Sequence, residues 1–252
     1  MNRHETDASL PAIDESLLEA NQRWLEQQGP GLLPPQCALA VQRYDRSVTS
    51  LPEVTDAKLK NAVEKRRREF SAGRVAAAAA LKELGANDSF SISVGAGRNP
   101  LWPDNFTGSI THTSGLAVAA VARIEILATV GIDLERTNAV QPELWPSILR
   151  ASEIDFVSRK PPMEQSRWAT LLFCAKESFY KMQYPVTGEW VEFHDAEVLV
   201  SEKGGEFELV CSQASVAGKL QHSRFAGRYL SSPEFFLTAL WLSAGQFKLP
   251  AT

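Results

Sequence analysis

Between residues 128 and 137 the chain reads ATVGIDLERT, in which Val130, Ile132 and Leu134 alternate with Gly131, Asp133 and Glu135. A period of two predicts a strand with one aliphatic and one polar face. The same reading along the rest of the chain predicts helices near 13–27, 56–84, 143–158 and 166–183, and strands near 38–44, 89–94, 116–124, 191–200, 206–211 and 235–242. The helix over 166–183 carries the stripe Trp168, Leu171, Leu172, Ala175, Phe179 and Met182, opens on Ser166 as its cap and is expected to stop before Pro185. The helix over 56–84 carries Val63, Phe70, Ala77 and Leu84 at sevenfold spacing, and its Lys65, Arg66 and Arg68 read as a solvated charge run. GRNPLWPDNFTGSITHT reads as a Pro- and Gly-rich loop that delivers His112 to the edge of the following strand.

The order of strand, major helix and further strands occurs once before residue 127 and again after it. That repetition predicts an α/β (α+β) chain of two similar subdomains, 1–127 and 128–252, related by a pseudo-twofold axis, with the active site in the cleft between them.

Composition narrows the function classes. The net charge of -4 and a pI near 5.7 argue against a general nucleic-acid binder. Cys37, Cys174 and Cys211 are odd in number and lack CxxC spacing, so neither a disulfide framework nor a zinc site is expected. The N-terminus has no apolar run of signal-peptide length and no later stretch approaches a membrane span, which predicts a soluble cytoplasmic protein. GxSxG, Walker A and GxGxxG are absent, and His4, His194 and His222 make no metal spacing.

Four places hold candidate chemistry, each with a plain structural alternative. Asp133 and Glu135, about 7 Å apart by strand rise, form either the wet face of a half-buried strand or a pair converging on a hard cation such as Mg2+. Glu177 and Lys181 form either an i,i+4 surface pair or a third carboxylate with a phosphate ligand. Arg74, on the edge of its helix's buried face, requires an anion, which is either a core carboxylate or a ligand phosphate. His112 is either structural or a ligand contact, and the small residues Thr111, Thr113, Ser114 and Gly115 around it leave backbone N–H groups for an anion.

Taken in order, FSAGR (70–74), GRNPLWP (97–103), GSITHT, GIDLE and FCAKESFYK resemble the 4'-phosphopantetheinyl transferases, specifically the two-lobed bacterial kind and its enterobactin-synthesis branch. Cys174 stands where that family usually has Ser or Thr, and the first 55 residues carry none of these motifs. The resemblance implies transfer of the phosphopantetheine arm of coenzyme A to a serine of an apo acyl or peptidyl carrier protein, with release of 3',5'-ADP. It further implies that Asp133, Glu135 and Glu177 hold Mg2+, with Glu177 or Glu135 as base, and that Lys181 contacts the diphosphate. Arg74 and His112 would meet the 3'-phosphate, with Arg98 and Lys176 as helpers. A monomer is expected. Two other readings remain: a Mg2+-dependent hydrolase of a nucleotide diphosphate that uses the same acids, and a non-enzymatic module binding through the KRRR helix.

Overall fold

Asp14 opens the first element among the described residues, accepting the Leu17 N–H at 3.0 Å and so capping helix α1 (Glu15–Gln28), which buries Leu18, Asn21 and Leu25 at helical spacing. The computed structural model of the chain describes residues 14–45, 62–87, 92–95, 99–201 and 204–246. Strand β1 (Ala38–Arg43) follows, then helix α2 (Glu64–Glu83), the two-residue strands β2 (Ser93–Val94) and β3 (Pro100–Leu101), and the hairpin of β4 (Phe106–Thr113) and β5 (Leu116–Arg123). The hairpin turns on Ser114 and Gly115, both at positive φ, with Thr113 paired to Leu116. A two-residue loop of that conformation matches the strands' own twist.

These strands make an antiparallel sheet in the order β1-β5-β4. Its central strand, LAVAAVAR, is buried on both faces except at its last residue. On one side its small residues meet Ala76, Ala77 and Ala80 of α2, so helix and sheet lie close.

The second half begins with β6 (Leu127–Arg136), continues through the short helices α3 (Trp145–Ile148) and α4 (Ala151–Ser158) and the long helix α5 (Pro162–Thr187), and then gives β7 (Ala196–Val200), β8 (Glu206–Cys211), α6 (Ala214–Leu220), β9 (Arg224–Ser231) and β10 (Phe235–Ser243). The strands form one antiparallel sheet ordered β6-β10-β9-β8-β7. Helix α5 packs on it through Leu172, Phe179 and Met182 against Leu209, Phe225 and Leu240. Between the two sheets, Val130, Ile132 and Leu134 of β6 share a core with Leu116 and Val118 of β5 and Leu18 and Leu25 of α1.

β4 and β6 lie side by side without belonging to one sheet. The join is made by side chains: Ile132 N–H donates to Ser109 Oγ at 3.1 Å and Leu134 N–H to Thr111 Oγ1 at 3.0 Å. Both numbers rise together along the join, so the strands run parallel.

The mixed helix-and-sheet fold with two main sheets is as expected, and several elements differ from their expected form. The polar face of β6 is not wet. Every residue from Thr129 to Arg136 is buried, because α5 lies across that face. A Cβ on Gly131 would sit 2.0 Å from Ser178 O and 2.5 Å from Met182 N, so glycine is what lets the helix backbone approach. The expected loop through Ser109 is strand β4, whose buried polar residues hid it from the hydrophobic pattern. Helix α2 begins at Glu64, residues 46–61 lie outside the described residues, and of the strand expected over 89–94 residues 89–91 also lie outside them while Ser93–Val94 is extended.

The helix expected over 143–158 is broken between Ile148 and Ala151. Helix α5 starts four residues before Ser166, with Pro162 in the first turn where a missing N–H costs nothing, and it runs through Pro185 to end at Gly188 in the left-handed region. The expected strand over 191–200 is extended only from Ala196, after a 3-10 turn. Helix α6 and strand β9 were not expected. Among the described residues no helix is long and apolar enough to cross a membrane.

Gly131→Ala is expected to destabilise the fold by about 3 kcal/mol, because the obstacle is helix backbone that cannot swing away. Gly218→Ala on the exposed side of α6, where nothing lies within 4 Å, should instead gain up to about 1 kcal/mol. Urea midpoints of the two variants check the contrast.

Candidate active site

Gly131, Asp133 and Glu135 all point toward α5 by strand parity, and the surface they meet is lined with small polar groups. Thr129 Oγ1 donates to Met182 O at 2.6 Å, Thr238, which pairs with Asp133 from β10, donates to Cys174 O at 2.9 Å, and Cys174 Sγ donates to Asp133 O at 3.2 Å. Cys174 thus does with a thiol what a hydroxyl would do there.

Asp133 is 0% exposed. Its Oδ1 accepts from Thr111 Oγ1 at 3.0 Å and from Lys181 Nζ at 2.7 Å, and Lys181 also donates to Ile132 O at 3.0 Å. A buried carboxylate is tolerable only with such a counter-charge. Lys181 is therefore paired to the strand through Asp133, a partner from β6. Glu135 follows two residues along the same face and is also buried. Glu177 lies one turn before Lys181 on α5 and is half-buried.

Glu177 borders a cavity of about 360 Å³ whose walls include Ser147, Phe179, Tyr180, Trp190 and Phe193. Tyr180 stacks on Tyr184 with centroids 5.3 Å apart and meets Trp190 edge-on at 5.2 Å. Burial, then the neighbouring Tyr184 and Glu177, push the Tyr180 phenol up to about 12, so it stays neutral. Trp190 is 61% exposed, which puts the aromatic wall at the cavity mouth.

Lys176 also borders the cavity, but its ammonium is engaged elsewhere. It donates to Glu153 Oε2 at 2.6 Å, Ile148 O at 2.8 Å and Phe193 O at 2.9 Å, which uses all three of its protons. Glu153 in turn accepts Arg150 N–H and Val198 N–H at 2.8 and 2.7 Å. Burial pulls the Lys176 ammonium below its ordinary value, and the Glu153 carboxylate opposes that pull. The helper role expected of Lys176 at the coenzyme is corrected accordingly: its charge holds the protein together.

On the other sheet His112 projects from β4 toward α2. Its Nε2 faces Arg66 Nη1 at 3.0 Å, its Nδ1 lies 3.9 Å from Glu69 Oε2, and its ring meets Tyr44 edge-on. An arginine only donates, so His112 Nε2 accepts in this arrangement. Arg68 reaches the carbonyls of Tyr44 and Asp45, and the expected solvated run is in this part a set of tertiary contacts. Arg74, two turns after Arg66, is half-buried with its guanidinium 4.5 Å from the Phe70 ring. Arg98 lies outside the described residues.

The structure therefore brings Asp133 and Lys181 into direct contact, with Glu135 two residues further along β6 and Glu177 one turn before Lys181 on α5. His112 stands on the strand next to Thr111, and Arg74 lies further along α2. Among the described residues no three His, Cys, Asp or Glu side chains close into a metal-holding group. Sequence reasoning missed Tyr180 and Trp190 as cavity walls, and Arg66 and Glu69 as neighbours of His112. Only tertiary packing identifies them.

Comparison with known proteins gives this geometry its class. Residues 55–122 match the 4'-phosphopantetheinyl transferase N-terminal domain, and residues 129–232 match the 4'-phosphopantetheinyl transferase superfamily. The chain belongs to that superfamily, whose members transfer the phosphopantetheine arm of coenzyme A to carrier proteins. It is 35% identical over 188 residues to 4'-phosphopantetheinyl transferase Svp of Streptomyces mobaraensis, covering 73% of this chain and 75% of that protein. It is 34% identical over 197 residues to the transferase Npt of Nocardia iowensis, covering 71% and 83%. Enterobactin synthase component D of Salmonella typhi is 39% identical over 127 residues, 49% of this chain and 51% of that protein. The transferase reading, rather than a hydrolase or a binding module, is the one these relationships carry.

Lys176→Met should lower stability by about 3–5 kcal/mol by leaving Glu153 buried without its counter-charge. Adding Glu153→Gln should recover part of that loss. Chemical denaturation of the two single variants and the double variant measures the coupling.

Proposed function

We propose that Asp133, Glu135 and Glu177 hold Mg2+ in the phosphopantetheinyl transfer reaction. The observation that carries the proposal is that buried Asp133 already holds a cation, the Lys181 ammonium at 2.7 Å. Hard carboxylate oxygens are the donors Mg2+ takes, usually one or two of them completed by substrate phosphates and water, so acids that do not close into a cage by themselves suit it. When bound, the ion supplies neutralisation of the coenzyme A diphosphate.

The protein's own groups supply the rest. The phosphopantetheine arm takes the cavity beside Glu177, between Tyr180 and Trp190, whose apolar walls suit a thin, mostly uncharged chain. The carrier's serine approaches at the mouth. Its Oγ bonds the β-phosphorus, its proton passes to Glu177, and the bond to the departing 3',5'-ADP breaks. Glu177 is assigned this role because it borders the cavity, whereas Glu135 lies deeper. Lys181 stabilises the departing phosphate. Arg74 and His112 hold the 3'-phosphate, with Arg98 as a helper.

The two lobes are taken as 1–127 and 128–252, supported by the β1-β5-β4 and β6-β10-β9-β8-β7 sheets and by family matches that end at 122 and begin at 129. The enterobactin-synthesis relatives favour a siderophore-type peptidyl carrier as acceptor, with a fatty-acid carrier as the second. The protein is read as a cytoplasmic monomer without nucleic-acid or membrane partners.

Incubation with coenzyme A, Mg2+ and each apo carrier should add the mass of the arm to the carrier, and removal of Mg2+ by chelation should stop it. Glu177→Gln should slow single-turnover transfer by roughly 100-fold or more while calorimetric affinity for coenzyme A is retained. Full transfer in that variant would shift the base to Glu135. Arg74→Ala and His112→Ala should weaken binding of coenzyme A more than of its 3'-dephospho form, and equal losses would assign both residues to structure.

A further inference from the structure

The Thr111 hydroxyl joins two jobs at the seam between the sheets. It accepts the Leu134 N–H at 3.0 Å and lies 3.0 Å from Asp133 Oδ1. A hydroxyl has one proton, and with a donor already directed at its oxygen, that proton goes to the carboxylate. Lys181 donates to the same Oδ1 at 2.7 Å. Two donors on one oxygen fix the rotation of the carboxylate, in a place where both Thr111 and Asp133 are 0% exposed.

We infer that Thr111 is a positioning residue for the transfer reaction, setting the orientation of Asp133 toward its cation from the opposite sheet. The inference rests on the metal reading above. The seam contains its own control. Ser109, two residues earlier, accepts Ile132 N–H at 3.1 Å and so joins the strands in the same way. Its partner is a backbone amide and not an acid. Removing either hydroxyl deprives one buried N–H of its acceptor, a comparable structural loss, but only the loss at Thr111 also releases Asp133.

The test compares Thr111→Val, Thr111→Ser, Thr111→Cys and Ser109→Ala by calorimetric titration of Mg2+ into the coenzyme A complex, alongside melting temperature. Thr111→Val should weaken Mg2+ binding by about tenfold or more, the usual effect of losing a residue that orients a metal ligand. Thr111→Ser should restore it, Thr111→Cys should fall between them, and Ser109→Ala should bind Mg2+ like the parent while melting earlier. Equal Mg2+ shifts in the Thr111→Val and Ser109→Ala variants would overturn the inference, as would a Thr111→Val variant altered only in melting temperature. If the Val variant does not fold, Cys binding Mg2+ as well as Ser would overturn it. A parent complex that takes up no Mg2+ would remove the metal reading itself, a result distinct from these.

Discussion

A carboxylate withdrawn completely from water is the constraint around which this structure is arranged. Asp133 is stabilised by an ammonium from α5 and a hydroxyl from β4 that reach the same oxygen. That requirement brings three elements to one point. Helix α5 must lie near enough for Lys181 to reach the strand, which Gly131 permits, and β4 must run alongside β6, which Ser109 and Thr111 secure. The placement of the two sheets relative to each other and the local charge of the site are thus one problem with one solution.

Joining strands through hydroxyls rather than through a ladder has a price in legibility. Ser109, Thr111 and Thr113 are buried, so β4 alternates in a sense opposite to what hydropathy reports, and it reads as loop. The same effect disguised the acidic face of β6. Alternation revealed the strand and the correct side for Asp133 and Glu135, but it implied solvent where a helix lies. Sequence spacing also placed Glu177 and Lys181 on one side of their helix, and no spacing could show that Lys181 would find Asp133, 48 residues away.

Elements with ordinary patterns were readable within a few residues: α1, β1, β5, β6, β8 and β10 all fall close to their expected spans. Those that escaped depend on contacts. Gly227 in β9 leaves space for the Phe207 ring, which a Cβ there would meet at 2.2 Å, and α5 continues through Pro185 because its packing outlasts one missing hydrogen bond. Lys176 shows the converse. A charged residue beside the motif acids invites a ligand role, and burial among three acceptors gives it another.

The Glu153 carboxylate that engages Lys176 also accepts the Val198 N–H of β7, the outermost strand of the five-stranded sheet. Outer strands expose unpaired amides that can recruit a strand from another molecule. Here one such amide is occupied by a side chain, while at the opposite border β6 gives its Ile132 and Leu134 amides to hydroxyls of β4. Both borders of the sheet are therefore closed at these positions by side chains instead of by further strands. The polar residues that organise the interior thus also supply acceptors to strand amides that no further strand of the same sheet would reach.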